Sequence, residues 1–208
     1  MADDSMHPNG YEHKMAALKA GTVNALCYSV PRSGSTMLYE VTCEWFPRNT
    51  VVKTHDYLIF PPQYAPPTIA SYRDFRDCVV SHWRFRCKPE PDQQMTEEEV
   101  RFFCGFYKRT AFVLDQYAEE RKPLLIRYET WVDKAVDLIA MVAAHFGIQE
   151  PRPEELADKF SIAECRKRFE PGHVHDGDSG VWASRVPTNL HGLLDRLLGP
   201  ELSRWGYL

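Results

Sequence analysis

Residues Val23 to Thr36, VNALCYSVPRSGST, decide the fold of this chain. The first eight form a short apolar run typical of a buried strand. The next five, Pro31 to Ser35, have turn composition, and Thr36 to Phe46 has helical character. A strand, a tight loop and a helix N-terminus in succession offer consecutive backbone N–H groups and hydroxyls, which a phosphate or sulfate group requires. The stretch therefore predicts an anion-binding loop.

The same order of strand, loop and helix recurs downstream. Short β-branched or aromatic runs at Thr50–Lys53 and Thr68–Tyr72 predict two further strands, and Pro123–Tyr128 predicts a third. The predicted helices are Asp74–Phe85, Glu97–Glu120 (with a break near Gly105 as an alternative), Trp131–Phe146 and Leu190–Trp205, and Phe169–Thr188 is a predicted loop. Strands that alternate with helices predict an α/β fold, a central parallel sheet flanked by helices.

Composition limits the organisation and the partners of the chain. Its 208 residues suit one domain, predicted at residues 21–208, after a polar N-terminal segment at 1–20 that could be flexible. The net charge of −4 argues against nucleic acid, so an anionic ligand must be held by local groups. Six irregularly spaced cysteines indicate a reduced, cytoplasmic protein, and no apolar run is long enough to predict a membrane span.

Two motifs resemble those of sulfotransferases that use 3′-phosphoadenosine 5′-phosphosulfate (PAPS). Residues 31–36 resemble the family's 5′-phosphosulfate loop, P-[KR]-S-G-[ST]-[ST]. Residues 73–85 resemble its block R-x-x-[RK]-D-x-x-x-S-x-x-x-F, with agreement in spacing throughout. The resemblance implies a P-loop NTPase-like sulfotransferase fold, in which Arg73 and Ser81 bind the 3′-phosphate. It implies that the phosphosulfate is bound by Arg32, Ser33, Gly34, Ser35 and Thr36.

Three weaker matches extend the resemblance from about residue 23 to the chain end. Arg127-Tyr128-Glu129 is similar to the family's Y-E-[DN] segment, which implies that Tyr128 lies near the adenine. Gly177-x-x-Gly180-x-Trp182 resembles the G-x-x-G-x-W of the family's C-terminal cofactor loop and makes Gly177 a candidate cofactor residue. Leu202–Leu208 resembles the common ending of these enzymes.

Lys53-Thr54-His55, after the second predicted strand, resembles the family's K-T-H. The resemblance implies that His55 is the general base and that Lys53 contacts the transferring group. A histidine with a pKa near 6.5 can accept the acceptor's proton at neutral pH, and Lys53 with Arg32 can neutralise developing negative charge. PAPS would be the donor, 3′-phosphoadenosine 5′-phosphate (PAP) the product, and a small molecule with a hydroxyl or amine the acceptor. This scheme requires no metal.

Two other functions remain open from the sequence. A P-loop kinase would share the order of elements, but its motif has a lysine directly after the glycine, where this chain has Ser35. A nucleotide-binding module without turnover is the second alternative, because His175-Asp176-Gly177 stands where many cytosolic sulfotransferases have R-K-G. Arg76 is interpreted as part of a charged helix start and is not assigned to the cofactor.

Overall fold

The computed structural model describes residues 10–56, 58, 65–150, 152–168 and 178–208. The strands are β1 (Ala25–Ser29), β2 (Val51–Thr54), β3 (Thr68–Tyr72) and β4 (Leu124–Arg127). The helices are α1 (Tyr11–Lys19), α2 (Ser35–Thr42), α3 (Phe75–Cys87), α4 (Glu97–Arg121), α5 (Ala135–His145), α6 (Pro153–Lys159), α7 (Ile162–Arg168), α8 (Trp182–Arg185) and α9 (Thr188–Arg204). Short 3₁₀ turns at Arg48–Thr50 and Tyr128–Thr130 precede β2 and follow β4.

The four strands form one parallel sheet in the order β2-β1-β3-β4. In β1, Cys27 lies opposite Lys53 of β2 on one side and Ile69 of β3 on the other. The chain leaves β1 towards β2 and then returns to β3 on the opposite side, so the connections diverge at the carboxyl ends of β1 and β3. In open parallel sheets this is the point at which ligands bind.

Both faces of the sheet are covered, which explains why its central strands are continuous apolar runs. Leu26 and Tyr28 of β1 belong to a core shared with α1, α3, α4 and α9. Ala25 and Cys27, which point the other way, pack with Leu38 of α2 and with α5. The predicted parallel α/β fold is confirmed.

Helix α4 and strand β3 agree closely with the sequence prediction. β3 has the predicted bounds, and α4 runs without a break through Gly105. Phe103 and Tyr107, on either side of that glycine, are buried against the sheet. This packing offsets the roughly 1 kcal/mol by which glycine disfavours a helix interior.

Other boundaries required correction. The predicted loop 169–188 contains α8, and the predicted helix from Trp131 begins only at Ala135, because a 3₁₀ turn follows β4. The N-terminal segment contains α1, whose Met15 and Leu18 are buried in the core. Across the described ranges, no helix combines the length and apolar content needed to cross a bilayer.

Candidate functional site

The loop after β1 delivers the start of α2 to the carboxyl edge of the sheet. Arg32 and Gly34 both adopt left-handed backbone conformations, with φ of 68° and 84°. Gly34 is the N-cap residue of α2 and has no side chain with which to cap the helix. The first backbone N–H groups of any helix lack intrahelical partners, so this N-terminus can serve an anion.

Ser33 holds the loop against β3. Its Oγ lies 2.7 Å from the Val30 carbonyl oxygen and 2.9 Å from Ser71 Oγ, and its N–H donates to the Val30 carbonyl at 3.2 Å. The residue is fully buried. The hydroxyl and the backbone N–H of Ser33 are therefore both hydrogen-bonded within the fold, which indicates that this residue shapes the loop.

Gly34 is in close contact with two aromatic residues that follow β4. A Cβ atom at this position would lie 2.7 Å from Cζ2 of Trp131 and 3.1 Å from Cδ2 of Tyr128. Glycine is thus required for both its left-handed φ and the space it leaves. The sequence motif predicted the glycine, but no sequence signal identified Trp131 as its neighbour.

The structure brings Arg32, Ser81 and Arg73 together from three elements. Arg32 Nε donates to Ser81 Oγ at 3.1 Å, and its guanidinium lies 4.9 Å from the centre of the Phe85 ring. Burial lowers the pKa of Arg32, and the nearby positive charge of Arg73 lowers it further. Two guanidinium groups held close in a part-buried site favour the binding of an anion between them.

Arg73 follows β3 and is only 7% exposed. Its Nη2 donates to the Asp178 carbonyl oxygen at 2.5 Å and lies 3.7 Å from Asp77 Oδ2. The guanidinium stacks on Tyr128, the residue that the third motif match singled out, at 4.5 Å from the ring centre. Arg73 Nε is buried and has no hydrogen-bond partner among the described residues.

Lys53 and His55 extend the site along the end of β2. Lys53 Nζ donates to Thr36 Oγ1 at 3.0 Å, and burial lowers the pKa of the lysine. His55 Nδ1 lies 2.6 Å from the Ser29 carbonyl oxygen. Since a carbonyl can only accept, Nδ1 carries the proton of the neutral ring, and Nε2 is left as a base.

The surroundings of His55 keep the ring neutral. The surrounding protein lowers the pKa of His55 by desolvating the ring; the hydrogen bond with Ser29 raises the pKa, and the charge of Lys53 lowers it. The residue nevertheless retains an exposed surface. Contact with water makes the shift of the His55 pKa smaller than full burial would, but its direction stays downward.

Asp77 ties the C-terminal segment to the site. Its two carboxylate oxygens accept from the backbone N–H groups of Gly180 and Trp182, at 2.7 and 3.0 Å. A cavity of about 480 Å³ lies beside the Arg73–Asp178 contact and is lined by Val132, Asp133, Asp178, Ser179, Gly180 and Val181. Gly177, which the motif assigned to the cofactor, lies outside the described residues.

Arg76 is engaged in ion pairs at the start of α3. Arg76 pairs with Asp74 at 2.8 Å and with Asp195 at 3.2 Å, in agreement with its interpretation as part of the helix start. Among the residues that the structure describes, no group of three or more His, Cys, Asp or Glu side chains could hold a metal ion.

Comparisons with known proteins found structural relatives only. No protein-family model and no curated protein matches the sequence. The crystal structure of mouse sulfotransferase SULT7A1 complexed with PAP matches with a TM-score of 0.70 and 17% identity, covering 91% of this chain and 89% of that chain. Retinol dehydratase in complex with androsterone and inactive cofactor PAP matches with a TM-score of 0.66 and 14% identity, covering 94% and 88%. Retinol dehydratase with retinol and PAP matches at 0.64 and 13%, covering 92% and 85%. The predicted sulfotransferase fold is confirmed.

Proposed function

We propose that this chain is a PAPS-dependent sulfotransferase that acts on a hydroxyl or amine of a small-molecule acceptor. The observation that carries the proposal is that Arg32, after β1, and Arg73, after the neighbouring parallel strand β3, both follow the carboxyl ends of their strands, and that Arg32 donates to Ser81 of the motif that contains Arg73. These arginines belong to two motifs separated by about forty residues in sequence. The structural relatives crystallised with PAP support the same nucleotide.

The residues at the site fit a nucleotide with an anionic group at each end. The N-terminus of α2, with Gly34, Ser35 and Thr36, suits the phosphosulfate end, and Ser33 shapes that loop. Arg73, whose buried Nε has no hydrogen-bond partner within the part of the chain that the structure describes, suits the 3′-phosphate. Ser81 accepts from Arg32, which leaves its own hydroxyl hydrogen for the same phosphate.

The sequence motifs also assign Tyr128 and Gly177 to the cofactor. Tyr128, which stacks on the Arg73 guanidinium, suits a contact with the nucleoside. Gly177 stays a prediction.

His55, Lys53 and Arg32 supply the catalytic groups of the proposed reaction. PAPS supplies an activated sulfuryl group: the acceptor oxygen or nitrogen forms a bond to sulfur, and PAP leaves with the electron pair of the broken S–O bond. His55 Nε2 takes the acceptor proton, while the hydrogen bond at Nδ1 fixes the ring. Lys53 and Arg32 stabilise the negative charge that develops on the sulfuryl and leaving oxygens. No residue role in this scheme calls for a metal.

Calorimetric titration distinguishes this function from a kinase. We expect micromolar binding of PAP and no comparable binding of ATP with Mg²⁺. Arg73→Ala should weaken PAP binding by about 2 to 3 kcal/mol, because a buried charge-assisted contact is lost. Arg101→Ala, which removes an exposed arginine paired with Glu97 on α4, is the matched control and should bind PAP normally.

Other results of these experiments would favour a kinase or a nucleotide-binding module without turnover. A preference for ATP would support the kinase. Binding of PAPS without acceptor-dependent release of PAP, across a panel of phenols, alcohols and amines, would support a module without turnover. Arg73→Ala with unchanged PAP affinity would contradict the role given to that arginine.

A further inference from the structure

Trp131 has an unsatisfied hydrogen-bond donor beneath the anion-binding loop. The residue is 2% exposed, and its Nε1 is buried without a partner among the described residues. Its ring carbons Cζ2 and Cη2 are the atoms that a Cβ at Gly34 would meet. A buried N–H without a partner is rare in native proteins and requires an explanation.

Other tryptophans of this chain do not share this feature. The indole N–H groups of Trp45, Trp83 and Trp205 each donate to a carboxylate, at 2.7, 2.9 and 3.1 Å. The indole N–H groups of these three residues are therefore satisfied within the fold. The unpaired indole is therefore found where a ligand is proposed to bind.

A second unpaired donor lies close to the first. Arg73 Nε is also buried without a partner among the described residues, and the Arg73 guanidinium lies over Tyr128 at 4.5 Å. The ring centre of Tyr128 is 5.1 Å from that of Trp131. The indole and guanidinium can only donate hydrogen bonds, so a ligand that satisfies them must present acceptor atoms.

Trp131 lies next to the loop that is proposed to bind the 5′ end of the nucleotide. It contacts Gly34, in the loop proposed for the 5′ end, whereas Arg73 is proposed for the 3′ end. The next residue, Val132, lines the cavity that continues to Asp178 and Gly180. Trp131 contacts Gly34 of the loop and Tyr128, and Tyr128 in turn contacts Arg73, so the tryptophan is linked to both proposed ends of the nucleotide site.

We propose that Trp131 is a nucleotide-binding residue whose Nε1–H donates a hydrogen bond to the adenosine 5′-phosphate part of PAPS and PAP. The proposal rests on the proposed function, and it adds a contact that none of the sequence motifs contains. Trp131 and Arg73 then bind separate parts of one ligand, on either side of Tyr128.

Titration with PAP and with adenosine 5′-phosphate tests this division. Trp131→Phe should raise the dissociation constant of both ligands about tenfold, equivalent to about 1.4 kcal/mol. Arg73→Ala should weaken PAP but leave adenosine 5′-phosphate unchanged. Trp45→Phe removes an indole that is satisfied by Glu150, and it should alter neither affinity.

Three results of these titrations would overturn the proposal. If Trp131→Phe binds PAP with normal affinity, the proposed hydrogen bond does not exist. If Trp131→Phe weakens the binding of PAP but not of adenosine 5′-phosphate, the bond is not made to the 5′ part of the nucleotide. Failure of the unsubstituted chain to bind PAP would overturn the proposed function and this contact with it, and it is recognisable before any variant is made.

A second variant separates the N–H group from the packing of the ring. Replacing Trp131 by 3-benzothienylalanine keeps the bicyclic shape and exchanges only the N–H for sulfur. We expect the same tenfold loss of PAP affinity, with a thermal midpoint of the free protein at or above that of the original chain, because an unpaired buried donor has been removed. Unchanged PAP affinity in this folded variant overturns the proposal even if Trp131→Phe fails to fold.

Discussion

Gly34 shows how one residue shapes the site through both backbone and space. Alanine at this position would keep a left-handed φ of 84° and place Cβ 2.7 Å from a ring carbon of Trp131. We expect Gly34→Ala to lower the free energy of unfolding by about 2 to 4 kcal/mol and to weaken PAP binding. Urea unfolding and calorimetry measure the two effects.

Gly105 provides the matched control within the same chain. It lies inside α4, and a Cβ there would meet no atom of the described residues within 4 Å beyond the neighbouring backbone of its own helix. Gly105→Ala should stabilise the protein by about 0.5 to 1 kcal/mol, because alanine loses less backbone entropy in a helix. Equal effects of the two substitutions would contradict the account of the loop.

The proposed base, His55, is expected to set how activity depends on pH at the acidic end. A base must be neutral to accept a proton, and burial lowers the pKa of His55, so the ring stays neutral at pH values where an ordinary histidine is charged. We therefore expect the acidic limb of kcat/KM to lie below pH 6.5. His55→Ala should lower turnover at least about a hundredfold and leave PAP affinity nearly unchanged.

The exposed His145 on α5 is the control for this prediction. His145→Ala should preserve both turnover and the acidic limb. An acidic limb that remains in His55→Ala, or turnover close to normal in that variant, would assign the base to another group.

At the scale of elements, α3 and the C-terminal segment are joined through Asp77. Its two oxygens accept from Gly180 and Trp182, and the carboxylate faces Arg73. Asparagine offers only one acceptor oxygen, so Asp77→Asn leaves a backbone N–H facing an amide NH₂. We expect a loss of about 2 to 4 kcal/mol of unfolding free energy and faster amide hydrogen exchange at residues 178–182.

Asp195→Asn separates this effect from a simple loss of charge. Asp195 pairs with Arg76 at 3.2 Å, but its side chain is 41% exposed. Exposed ion pairs contribute about 1 kcal/mol or less, so this variant should unfold almost as the original chain does. Unaltered exchange at 178–182 in Asp77→Asn would show that other contacts hold the segment.

The elements that the sequence predicted well are those with a strong apolar pattern. β3 was predicted with its observed bounds, and α4 was predicted to within one residue because its buried positions recur at helical spacing. α1 was missed because only Met15 and Leu18 of its nine residues are buried. α6 has no buried residue and α7 only Cys165, so they too gave no signal.

At the scale of the whole molecule, the site is assembled by topology. The motifs predicted Arg32, Arg73 and Ser81, because residue type and spacing are local properties. The contacts of Gly34 with Trp131 and of Arg73 with Asp178 join residues about one hundred positions apart, and only the folded chain brings them together. Sequence patterns could therefore predict the groups at the site but not the packing between them.

The end of the chain closes the fold at the same edge of the sheet. Tyr207 Oη donates to Glu129 Oε2 at 2.8 Å, and Glu129 Oε1 accepts from the Asp74 N–H at 2.9 Å. The Arg127 guanidinium lies 4.1 Å from the centre of the Tyr207 ring. The segment after α9 is thus bound to the end of β4 and, through Glu129, to the residue that precedes α3, both of which border the proposed nucleotide site.

Tyr207→Phe tests whether this closure supports the whole molecule. The substitution keeps the ring but removes the donor to a part-buried carboxylate, and we expect a loss of about 1.5 to 3 kcal/mol, seen as a thermal midpoint lower by about 3 to 12 °C. PAP affinity should fall less than in Arg73→Ala, since Tyr207 acts through Glu129 and the start of α3. Tyr11→Phe, at a 48% exposed position on α1, is the control and should leave the midpoint unchanged. Equal midpoints for the two variants would mean that the Tyr207–Glu129 hydrogen bond contributes nothing to stability, and that other contacts, such as the packing of Trp205 and Tyr207 on Tyr72 and the Trp205–Asp115 hydrogen bond, hold this segment.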